Sequence, residues 1–137
     1  MKFLRSLLCW GILCLQGTAG FSQLLKTDPL FPQESSTVVI TADCNRGNRA
    51  LADYVSTNDV YVHVGVITNL SSGPSGWRYV KFTWGTSDPA AQAISLGGGK
   101  YQFTINNVRS FFGVPATESI KKISFLLRNG AGTLVQR

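Results

Sequence analysis

The sequence predicts an all-β fold of the two-sheet sandwich type, and three observations carry that expectation. Apolar residues alternate with period two in several short segments rich in β-branched and aromatic residues. Turn-forming Gly, Asn, Pro and Ser separate those segments every ~8–12 residues. Sustained helical periodicity is missing from a chain that carries 14 glycines in 137 residues. Apolar residues make up 44% and aromatics 11%, enough for a core and too much for a disordered chain. The length suits a single domain of ~100–150 residues.

Residues 1–22 read as a cleaved signal peptide. Lys2 and Arg5 form a positive start, Leu7 to Leu15 an apolar run, and Gly17 to Ser22 a region of small residues. The run is shorter than the ~20 residues a membrane helix needs, so no membrane span is expected. Anchoring as a lipoprotein at Cys14 is disfavoured by the bulky Leu13 before it. The expected location is secreted, periplasmic or at the cell surface. Loss of the leader removes Cys9 and Cys14 and leaves Cys44 alone, without an internal disulfide. Cys44 then reads as a small apolar core residue.

Residues 23–36, with two prolines and no period, read as a linker or loosely docked arm. The module proper is expected over 37–137. Thr37 to Asp43 is its first strand, and Asn45 to Asn48 a turn. Ala50 to Val55 reads as one helical turn. Val60 to Ile67 is the strongest strand, with four valines on one face and Tyr61, His63, Gly65 and Ile67 on the other. The loop Asn69 to Gly76 follows. Alternation then predicts a partner strand over Trp77 to Trp84, with Trp77 and Tyr79 on one side and Trp84 on the other.

Glycines 97 to 99 read as a hairpin turn into the strand Lys100 to Asn106, because no helix follows as a phosphate loop would require. Val108, Phe111 and Phe112 share one face of a short helical turn near 107–114, closed by Pro115. Ile120 to Arg128 is the last full strand. Asn129-Gly130 announces a returning strand that the seven residues from Ala131 scarcely supply, so the module is expected to be truncated at its C-terminus. About seven short strands with these spacings fit an immunoglobulin-like sandwich better than a barrel. The expected core includes Val60, Val62, Val64, Phe82, Phe103, Ile105, Ile123 and Phe125.

Charge excludes some partners. The formal net charge of +6 falls to +4 once Lys2 and Arg5 leave. The basic side chains are scattered, whereas a nucleic-acid site wants a clustered stripe. No catalytic residue, metal site or cofactor is expected. The acidic residues sit in turns and strand starts, and no second His or Cys lies at ligand spacing from His63.

Asp59 to Thr68, Trp77 to Lys81, Trp84-Gly85, Asn107 to Pro115 and Ile120 to Gly130 together resemble a known family. It is the N-terminal, early-set immunoglobulin-like module of secreted α-amylase-type glycoside hydrolases and related starch-utilisation proteins of Bacteroidetes-like bacteria. The resemblance spans roughly residues 37–132. It implies a non-catalytic accessory module of a glycan-degrading protein, with a downstream catalytic domain in the same parent chain and α-glucan as a polysaccharide ligand. The alternatives are a purely structural spacer and a free-standing carbohydrate-binding module. Sugars are held by aromatic faces beside polar groups. The candidate carbohydrate-binding residues are therefore Trp77, Tyr79, Trp84 and Tyr61, with Ser72 and Ser75 of the neighbouring loop.

Overall fold

The computed structural model describes residues 23–137, so the leader read over residues 1–22 lies outside the described residues. Seven strands form two antiparallel sheets. They are β1 (Leu25–Asp28), β2 (Val38–Asp43), β3 (Val60–Thr68), β4 (Ile94–Gly97), β5 (Lys100–Ile105), β6 (Ile120–Asn129) and β7 (Val135–Gln136). One sheet has the order β1-β2-β5-β4 and the other β3-β6-β7. A 3-10 turn at Pro89–Ala91 and a short helix α1 (Val108–Phe112) complete the elements. No helix among the described residues is long and apolar enough to cross a membrane.

The β3–β6 ladder is the longest in the molecule. It runs from Val60 opposite Asn129 to Thr68 opposite Ile120, with an irregularity after Ile67. Val60, Val62, Val64 and Val66 are each fully buried. Burial of a valine contributes ~1.5–3 kcal/mol, enough to offset the ~1–2 kcal/mol of backbone entropy lost at that position. The buried cluster draws Val38, Ile40 and Phe103 from one sheet and Val62, Val64 and Leu127 from the other. Phe82, Phe103 and Phe111 meet edge to face at 6.2–6.3 Å between ring centres. Of the eight expected core residues, six are buried, while Ile123 and Phe125 are half-buried against the cluster. Cys44 is fully buried, and burial beside Asp43 pushes its thiol up to about 11.

Three expectations change. The stretch read as a linker holds β1, which pairs with Val39 to Ala42 at the edge of its sheet. A four-residue edge strand with only half of its side chains turned inward leaves little periodic signal. Ala50 to Val55 forms turns rather than helix. Most consequential, Trp77 to Trp84 is not a strand. It touches β3 through a single bridge between Arg78 and Val66 and one further bond from the Lys81 N–H to the Val64 carbonyl. Tyr79, at φ +52°, breaks the extended backbone between those two contacts. The helical turn near 107–114 is present as α1, with Asn107 accepting from the Ser110 N–H at its start and Gly113 closing it in the left-handed region.

Gly65 is what lets this irregular segment lie against the sheet. A Cβ there would stand 3.1 Å from the Arg78 carbonyl oxygen, 3.2 Å from Val80 and 3.4 Å from the Trp77 ring. Gly65→Val should therefore destabilise the protein by ~1–3 kcal/mol through overpacking, despite valine's preference for strands. The urea midpoint of the purified variant checks this, and an unchanged midpoint would contradict the close approach.

Candidate functional site

The site builds on the face of β3 that turns away from the shared core. Tyr61, His63 and Gly65 lie there, opposite Arg128, Leu126 and Ser124 of β6. The Trp77 indole stacks on His63 at 5.7 Å and 24°. Trp84 meets the same imidazole edge on, at 4.9 Å and 85°. The two tryptophans expected on opposite faces are thus brought to one histidine. The alternation rule failed because it presumes an extended backbone, which the turn at Tyr79 interrupts.

Arg128 anchors this surface from below. Its side chain is fully buried between the rings of Tyr61 at 5.5 Å and Trp84 at 5.7 Å. Its terminal nitrogens donate to four carbonyls, those of Asn129 (3.0 Å), Gly130 (2.9 Å), Thr83 (3.3 Å) and Thr86 (2.7 Å). No carboxylate pairs with it among the described residues. A buried cation costs several kcal/mol unless partnered, and here carbonyl dipoles and π faces are the partners. Burial pulls the guanidinium below its ordinary value, and burial followed by Arg128's charge does the same to His63. Burial and the neighbouring cation thus favour the neutral imidazole. His63 Nδ1 and Arg128 Nε are buried without a hydrogen-bond partner.

Above this base Trp84 remains 44% exposed. The indole is nonetheless held in place, because Gly132 of the turn after β6 lies so close that a Cβ would stand 2.5 Å from Trp84 Nε1. The result is an outward-facing aromatic cluster in which Trp77 lies nearly parallel to His63 and Trp84 stands edge on to it. Its chemistry is stacking and dispersion.

A second cluster holds the segment at its other end. Glu118, almost fully buried, accepts from Thr68 Oγ1, from Arg78 Nε at 2.7 Å and from the Tyr79 hydroxyl at 2.6 Å. Arg78 also lies over the Tyr79 ring at 5.4 Å. These hydrogen bonds, those of Thr68 and Tyr79 first, hold the Glu118 carboxyl below its ordinary value. Glu34 is lowered in the same sense by Arg109, which also donates to the carbonyls of Val114, Pro115 and Glu118. Both carboxylates are committed to holding loops together.

The candidate sugar-binding residues therefore separate. Trp77 and Trp84 converge on His63. Tyr79 is half-buried and turned to Glu118, while Tyr61 is buried under Arg128. Ser72 and Ser75 are exposed on the loop that precedes Trp77. That loop is tethered at its base, where Asn69 bonds Ser119 through both backbone and side chain. The sequence reading missed His63 and Arg128 as organisers. Their signal was present in the register, since each sits directly or diagonally across from the other's neighbours on β3 and β6. Compared with models of protein families and with curated proteins, the chain matches none.

Carboxylates held below their ordinary value bind fewer protons when folded than when unfolded. Their contribution is full above the ordinary value near 4.5 and is lost as pH falls through the lowered one. Stability should accordingly fall as pH drops below about 5. In Glu118→Gln that acid slope should be shallower and the stability at neutral pH lower. Urea melts across the pH range test this, and parallel slopes for both proteins would show that Glu118 is not a source of the acid loss.

Proposed function

We propose that this chain is an exported, non-catalytic accessory module of a glycan-degrading protein, with an immunoglobulin-like β-sandwich fold and a contact surface for α-glucan at Trp84, His63 and Trp77. The fold part of the reading is supported by strand order. Labelled A to G along the chain, the sheets are A-B-E-D and C-F-G, the arrangement of constant-type immunoglobulin domains. The leader, the resemblance to starch-active modules and the scattered charge support export and a carbohydrate setting.

The observation that carries the binding reading is the 44% exposed Trp84, fixed over a buried arginine and a histidine rather than folded into the core. An aromatic ring already held in place loses little entropy when a sugar ring settles on it, and releases water from apolar surface. Ser72 and Ser75 on the adjoining loop offer hydroxyls to the same ligand. The spacer reading draws on Tyr79 and Trp77, whose contacts with Glu118 and His63 also hold the fold together.

Retention on a starch or maltooligosaccharide column distinguishes these readings. Trp84→Ala should bind about fivefold more weakly, the equivalent of ~1 kcal/mol from one stacked ring, while its circular dichroism stays that of the parent. A parent protein that is not retained at all would reject glycan binding. Unfolding of the Trp84→Ala variant would place Trp84 among the structural residues and leave the spacer role.

A further inference from the structure

His63 is the one histidine of the chain, and histidine is the side chain whose ordinary titration falls between pH 5 and 8. It is also the residue on which the two indoles converge, with ring centres 5.7 Å away for Trp77 and 4.9 Å for Trp84. The residue is half-buried, and its Nδ1 is sealed from solvent with no hydrogen-bond partner among the described residues. In a neutral imidazole that nitrogen is one idle polar atom. A protonated ring puts a charged N–H there, facing no acceptor, and the cost rises steeply.

The groups around the ring add to that cost. From β6 it meets Leu126 directly across and Arg128 diagonally, and its own strand sends Tyr61 and Gly65 to the same face. From residues 77–86 come the two indoles and the backbone of Phe82, which alone favours the charged form. The other cations of that segment are engaged elsewhere, Arg78 with Glu118 and Lys81 over the Phe111 ring. Arg128 is therefore the charge that acts on His63, and its four carbonyl partners keep it in place. Water on the exposed side of the ring is what remains to stabilise an imidazolium. A sugar stacked on the neighbouring Trp84 takes part of that water away.

We propose, on the glycan-binding reading of Trp84, that a glycan there and a proton on His63 oppose each other, so that the contact is strong at neutral pH and weakens in acid. Stacking dehydrates the surroundings of His63 and so favours the neutral ring. By reciprocity the proton lowers the affinity for the glycan by the same factor. The sign follows from the order of states. His63 in the free protein already lies below its ordinary value, through burial and then Arg128, and the bound protein holds it lower still. Affinity is full above the free protein's midpoint and is lost as pH falls through it. A neutral sugar does not titrate in this range, and Glu34 and Glu118 are held charged through it.

The lone histidine gives a single Cε1–H resonance, so proton NMR of the untagged protein reads its midpoint with no residue changed. Saturating maltoheptaose should lower that midpoint by about half a pH unit. Calorimetry should find maltoheptaose bound about threefold more weakly on the acid side of the midpoint than at pH 7.5, the same coupling measured from the other partner. His63→Phe keeps a ring and takes no proton, so its affinity, whatever its value at pH 7.5, should not change with pH. An unmoved midpoint, or binding that is equal or tighter in acid, would overturn the linkage while leaving glycan binding in place. A pH dependence that persists in His63→Phe would assign the proton to another group and overturn it too. Maltoheptaose that binds at no pH would overturn the glycan reading, and the linkage with it.

Discussion

Everything on the outer face of the β3–β6 ladder depends on one buried cation. Arg128 takes the carbonyls of two separate turns, at residues 83–86 and 129–130, and presses its plane between Tyr61 and Trp84. A lysine could not replace it, since a point charge cannot reach four acceptors in a plane and stack on two rings at once. The guanidinium fixes the turn that delivers Trp84, and Trp84 in turn borders His63, on which Trp77 lies. A surface that looks like an aromatic site is thus the visible side of an electrostatic knot.

Glu118 plays the complementary part at the far end of the same segment. Between them, the cation at one end and the anion at the other hold residues 77–86 in an irregular path that strand pairing alone would not select. Each ion is held by groups distant in sequence, from Thr68 to Glu118 and from Thr83 to Arg128. Such contacts are high-stakes in a low-dielectric setting, where losing a partner costs more than it would in water.

That division explains what the sequence disclosed. The valines of β3 announce themselves because burial on one face imposes period two, and the register follows from it. The helix at 108–112 is local too, set by Asn107, by the apolar spacing and by Gly113. The segment from Trp77 to Trp84 was misread because its alternation is genuine but unused; the bond of Tyr79 to a carboxylate 39 residues away decides its path. Similarly, β1 is hidden because an edge strand of four residues borrows its order from β2. The aromatic residues of the candidate site were legible by type, while their grouping was not, since it depends on the positive φ at Tyr79 and on the missing side chain at Gly65.

Cys44 carries a consequence of a different kind. Its thiol is sealed at the end of β2 and pushed up to about 11, so at pH 8 only about one molecule in a thousand holds the reactive thiolate, and that one is out of reach of solvent. Modification of Cys44 then requires an opening of the fold that exposes it. The residue is a natural clock for that opening: the rate at which an alkylating reagent marks it, read from the peptide that contains it, reports how often the core is breached, with no label added and no residue changed.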